Sequence, residues 1–123
     1  MIVGIGTDVA DIGRFTAETR SDDGLLGAFL TPAELAACRA HPRGAAASAA
    51  RFAAKEACAK ALGTGVFGRL SWQDMELRES GAGATLHLSG RAQQLAAARG
   101  VRAIHVSLTR TARLAAAVVV LED

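Results

Sequence analysis

Residues 44–62 read GAAASAARFAAKEACAKAL, and the chain runs on into Gly63-Thr64-Gly65. Alanine is the most favourable residue in a helix interior, so the stretch predicts a long helix. Gly63 stands where a helix C-terminus commonly takes glycine. Ala46, Ala50, Ala53, Ala57 and Ala61 recur at steps of three and four and so share one stripe that can face a core. Side chains that small let a neighbouring element, or a neighbouring subunit, come close. The same stretch holds both lysines of the chain, Lys55 and Lys60, whereas the other twelve of its fourteen basic side chains are arginines.

Working outward, residues 2–9 (IVGIGTDV) are apolar and β-branched with interleaved glycines, which predicts a buried strand. Residues 10–20 can continue as a helix, with Ile12 and Phe15 three apart, and 21–24 (SDDG) as a turn. In 31–41, Thr31, Pro32 and Glu34 form an N-terminal capping signature, and Pro42 stops that helix near His41. Beyond the long helix, 72–80 and 84–89 alternate around a GAG turn and read as a hairpin. A short helix over 90–100 comes next, then strands over 102–111 and 113–122 joined by a tight turn around Thr111 and Ala112. The order β-α-α-α-β-β-α-β-β is an α+β fold, a mostly antiparallel sheet packed by the long alanine-rich helix, in one domain spanning 1–123.

Composition narrows the function. A formal charge of +2, scattered arginines, one Trp and no Tyr argue against nucleic acid as a partner. The apolar run LAAAVVVL (114–121) is far short of a membrane span. MIVGIGTDV leads straight into a strand rather than a signal segment, and Cys38 and Cys58 sit in helical contexts without metal-ligand spacing. A reducing cytoplasm is the expected compartment.

Three residues could carry chemistry. Asp8 ends a buried strand, where it serves either as an N-cap for the next helix or as a metal or acid–base carboxylate. Glu56 and Lys60 are four apart on one helix face, the favourable order for a surface ion pair. An exposed pair would accept arginine equally, whereas a compact ammonium set against a phosphate need not. Taken together, Asp8 and Glu56 supply the one or two carboxylates that magnesium takes beside phosphate oxygens. Lys60 would neutralise the same phosphates, and Gly63-Thr64-Gly65 lets backbone approach a ligand. Lys55 reads as a solvated residue on another face of the helix.

GIGTDVADIGRF near the N-terminus, RFAAKEACAKALGTG in mid-chain and HVSLTRTARLAAAVVV at the end together resemble the holo-acyl-carrier-protein synthases, the small bacterial 4′-phosphopantetheinyl transferases. The resemblance covers essentially the whole chain. It implies magnesium-dependent transfer of 4′-phosphopantetheine from coenzyme A to a serine of apo acyl carrier protein, releasing 3′,5′-ADP and serving fatty-acid (lipid) biosynthesis. By position it implies that Asp8 and Glu56 hold the metal and that Lys60 contacts the pyrophosphate. The serine proton would go to Glu56 or to a metal-bound water. Arg51 matches a position used for nucleotide phosphate, Gly63 and Thr64 the loop beside the coenzyme, and Arg14, extended by Arg20, the surface that meets the acidic carrier. The resemblance also implies a homotrimer with active sites between subunits.

One departure stands out. The closing hairpin reads SLTR where many relatives read serine–apolar–threonine–histidine, so Arg110 replaces a histidine. Arginine stays protonated and cannot act as a base; it can pair with a coenzyme phosphate, with Thr111 donating beside it. His105 reads as structural, and His41 and His87 carry no case. The competing readings are a non-catalytic trimeric module that binds coenzyme A or a nucleotide, and a structural trimer built on the alanine helix.

Overall fold

Glycine at positions 4 and 6 has a steric cause. The computed structural model of the chain describes residues 1–16, 24, 26–64 and 70–123. In it, strand β1 (Ile2–Asp11) lies directly on the long helix, which comes after a shorter helix α1 (Pro32–Ala40) and is labelled α2 (Gly44–Ala61). A Cβ on Gly6 would stand 1.8 Å from the Ala57 carbonyl oxygen, and one on Gly4 would stand 2.1 Å from that of Ala61. Strand and helix backbones therefore touch. Glycine on one side and alanine on the other are what contact at that distance allows. The alanine stripe is thus consumed inside the subunit.

The remaining elements are a hairpin, β2 (Met75–Ser80) with β3 (Gly83–Leu88), then α3 (Gly90–Ala98), β4 (Ala103–Arg110) and β5 (Leu114–Glu122). The strands β1-β5-β4 form an antiparallel sheet in that order, and β2-β3 form a separate antiparallel pair. Alternation divides the larger sheet cleanly. Ala115, Ala117, Val119 and Leu121 are buried, while Leu114 and Val118, with Ile5 and Val9 on β1, are exposed. Helix α2 is buried almost all round; beyond its first residue, Gly44, its least covered residues, Ala45, Phe52, Glu56 and Lys60, make one lengthwise stripe. This is the α+β architecture the sequence predicts.

Three local expectations change. The helix expected over 10–20 does not begin at Ala10, where the chain is still strand. The strand continues to Asp11 because β5 is long enough to pair with it (Asp11↔Leu114). Asp11, not Asp8, then caps a 3-10 turn, Ile12–Phe15, accepting from the Gly13 amide at 2.8 Å; residues 17–23 lie outside the described ones. Residues 72–74 form a 3-10 turn before β2 rather than strand. The third change is Lys55, which is fully buried rather than solvated.

Lys55 Nζ lies 2.5 Å from Glu34 Oε1 and donates to the carbonyls of Phe29 (2.5 Å) and Trp72 (3.0 Å). The three acceptors match the three donors of an ammonium group. Burial lowers the Lys55 pKa, while the Glu34 carboxylate pulls it back up. Glu34 itself completes the capping box with Thr31 and accepts from the Leu77 amide at 2.9 Å. One carboxylate thus ties α1, α2 and β2 together. The capping box was legible in the sequence; its buried lysine was not.

Candidate functional site

On β1, the alternation that turns Gly4 and Gly6 toward α2 also turns Asp8 that way. Lys60, in the last turn of α2, reaches across and donates to Asp8 Oδ1 (3.0 Å) and to the Thr7 carbonyl (3.0 Å). The ammonium is therefore committed to the strand, so the surface Glu56–Lys60 pair gives way to an Asp8–Lys60 pair between elements. Glu56 lies one turn earlier on the same open stripe. Its carboxyl is raised above the usual carboxylate range, chiefly by burial and further by the nearby Asp8 charge, against the opposing pull of Lys60. Two carboxylates that repel one another beside a single ammonium leave the cluster one negative charge in excess.

The helix ends at once after this cluster. Gly63 takes φ +79°. Its amide donates to Lys60 O (3.0 Å), and that of Thr64 donates to Ala59 O (3.1 Å), a Schellman closure. Gly63 is thus the C-terminal glycine the sequence predicts, and it places Thr64 beside the Lys60 turn; Gly65 lies outside the described residues. Arg99, which the sequence does not single out, fastens this end by donating to Ala61 O (2.8 Å) and to Val3 O.

Arg51 belongs to a second centre. It lies nine residues before Lys60 on α2, about 13 Å along the axis. Its side chain is 5% exposed and donates to Ala47 O (3.2 Å) and Glu79 Oε2 (3.2 Å). Arg110, at the end of β4, meets the same carboxylate, its Nη2 lying 2.9 Å from both Glu79 oxygens. Arg51 and Arg110, matched from sequence to one ligand, are thus brought together. Nothing in local spacing marks Glu79, whose role rests on three elements converging.

The remaining candidates fall at the edges. The Thr111 hydroxyl closes the β4–β5 turn, accepting from the amides of Arg113 (3.2 Å) and Leu114 (3.0 Å), so its oxygen already has work. Arg14, on the 3-10 turn, places its guanidinium 5.6 Å from the Phe52 ring centre and 5.8 Å from that of Phe15. These rings belong to an aromatic cluster completed by Phe29 and Trp72. Arg20 lies outside the described residues. His105 Nε2 lies 3.0 Å from Glu122 Oε1 on the outer sheet face. Cys38 and Cys58 are free and buried. Among the described residues, no helix is long and apolar enough to cross a membrane.

The chemistry this arrangement offers is electrostatic. Two carboxylates are as many as magnesium usually takes from a protein when a substrate phosphate and waters fill its other positions, and the excess negative charge at Asp8 and Glu56 fits such a cation. A lysine at one end and two arginines at the other suit a ligand carrying separate phosphates.

Residues 4–119 match the family model of the 4′-phosphopantetheinyl transferase superfamily. A holo-[acyl-carrier-protein] synthase of Moorella thermoacetica is 48% identical over 96% of this chain and 92% of its own. The crystal structure of holo-[acyl-carrier-protein] synthase from Neisseria meningitidis superposes with a TM-score of 0.88 at 30% identity, covering both chains fully. The Helicobacter pylori synthase, solved in complex with coenzyme A, gives 0.80 at 30% identity over 96% of this chain and 99% of its own. The chain belongs to the 4′-phosphopantetheinyl transferase superfamily.

Proposed function

We propose that this chain is a holo-acyl-carrier-protein synthase. It transfers the 4′-phosphopantetheine group of coenzyme A to a serine of apo acyl carrier protein and releases 3′,5′-ADP. Full-length relatedness to synthases of that name carries this reading, and the Asp8–Glu56–Lys60 cluster supplies its chemistry. The whole chain, 1–123, acts as one domain, in the cytoplasm, and supplies holo-carrier for fatty-acid biosynthesis.

The serine hydroxyl attacks the phosphorus that carries the pantetheine arm, and the bond to the 3′,5′-ADP oxygen breaks. Asp8 and Glu56 would hold magnesium against the pyrophosphate, where the cation supplies charge neutralisation. Lys60, anchored by Asp8 and the Thr7 carbonyl, presents its ammonium to the same phosphates and opposes the charge gathering on the leaving oxygen. The serine proton would go to Glu56 or to a metal-bound water. The turn at Gly63 and Thr64 lies beside the coenzyme. Arg51 and Arg110 bind its nucleotide phosphate, with Thr111 at the rim. Arg14, supported by Arg20, faces the acidic carrier, so docking weakens as salt rises.

The assembly is a homotrimer. The Asp8–Glu56–Lys60 cluster lies on an open surface, Lys60 being 54% exposed. The outer face of the main sheet exposes Ile5, Val9, Leu114 and Val118 together. An apolar face of this kind marks an interaction surface, on which a neighbouring subunit would sit.

Glu56→Gln tests the cluster. Turnover should fall by about a hundredfold or more, with the circular dichroism spectrum unchanged. Turnover like that of the wild type would contradict the role given to Glu56.

A further inference from the structure

Arg51 and Arg110 share one carboxylate, and neither is fully satisfied by it. Glu79 accepts from Arg51 Nη1 (3.2 Å) and, with both oxygens, from Arg110 Nη2 (2.9 Å). The Nε atoms of Arg51 and Arg110 are buried without a hydrogen-bond partner. A buried donor left unmet is destabilising. Two guanidiniums against one carboxylate leave the cluster one positive charge in excess. Two cavities flank it, of about 200 Å3 beside Arg51 and about 430 Å3 beside Arg110, and Glu79 is the residue that lines both.

We propose that Glu79 is a self-ligand: its carboxylate occupies the anion site formed by Arg51 and Arg110 and is displaced when the 3′-phosphate of coenzyme A binds. This rests on the reading of the chain as a coenzyme A-dependent transferase and adds a residue to it. The exchange is chemically directed. A phosphate monoester carries about −1.5 to −2 charges near neutral pH and offers three strong acceptor oxygens, against one charge and two oxygens for Glu79. It can engage both guanidinium forks, including the Nε donors that Glu79 leaves unmet. Monoanions gain nothing over the carboxylate already present, so Glu79 screens two closely placed arginines from one another while excluding ambient anions. Its side chain is 29% exposed and sits on the β2–β3 hairpin, so it has solvent to move into. Its return helps expel 3′,5′-ADP after transfer.

The test is Glu79→Gln, which keeps shape and removes the competing charge. The KM for coenzyme A should fall about three- to tenfold and product inhibition by 3′,5′-ADP should tighten in parallel. The KM for dephospho-coenzyme A, which lacks the 3′-phosphate, should not change with it. A merely structural Glu79 would shift both donors together or raise the KM for coenzyme A. Either result, or no change, overturns the proposal. Should the variant be too unstable for kinetics, melting with and without inorganic phosphate reads the same site. Phosphate should raise the Tm of the variant more than that of the wild type, and an equal or smaller rise overturns the proposal. This second arm needs no transferase activity, so failure of the functional reading would show separately, as a wild type that transfers nothing.

Discussion

Glu56 and Lys60 sit one helical turn apart, yet the lysine spends its charge on Asp8, leaving Glu56 short of compensation. Because the folded Glu56 carboxyl holds its proton more tightly than the unfolded one, the folded chain binds more protons as pH passes between the two values. Stability associated with this group is therefore present at low pH and lost as pH rises through the raised value. At about pH 7 the ionised carboxylate is a cost. Glu56→Gln should melt slightly above the wild type there, with the gap closing below about pH 4, where both states carry a proton. Paired melting curves across that range check this, and a variant less stable at neutral pH would contradict it.

At the scale of elements, α2 is the axle. Its alanines announce a helix, and the glycines of β1 announce a close approach, but only together do they say that the two backbones touch. Lys55 shows what local sequence withholds. Its burial depends on Glu34, Phe29 and Trp72, drawn from separate stretches of chain, so nothing within one helical turn distinguishes it from Lys60. Lys55→Met leaves the Glu34 charge buried without its partner and should cost about 3–5 kcal/mol in urea unfolding. Joined with Glu34→Gln, the two losses should fall well short of adding; strict additivity would deny that the residues form a unit. The same lesson covers the site. Glu56 and Lys60 were legible as one helix face by simple periodicity and Asp8 as a second carboxylate for a cation, whereas the contact of Asp8 with Lys60 shows only in the folded chain. Glu79 and Arg99 were not legible, because each acts across an approach that only the folded chain creates. The extent of β1 was also hidden, since its last residues are strand through pairing with β5.

On the scale of the whole molecule, the sheet has one face spent on α2 and one left apolar and open. The alanine stripe that suggested an intersubunit contact is buried within the subunit, so the proposed association is placed on the outer face. Val118 lies at the centre of that face, paired with Thr7 on one side and Ser107 on the other. A charge there points away from the core, so Val118→Glu should leave the subunit folded while dissociating the proposed trimer, read by analytical ultracentrifugation. Activity should be lost in step with assembly. A variant that stays trimeric would place the interface elsewhere.

The most direct measurement is the intact mass of an apo acyl carrier protein incubated with this chain, coenzyme A and magnesium, beside a control containing EDTA. The expected result is a gain of one phosphopantetheine arm that EDTA abolishes. Carriers that bind the chain and coenzyme A yet keep their apo mass would contradict a transferase.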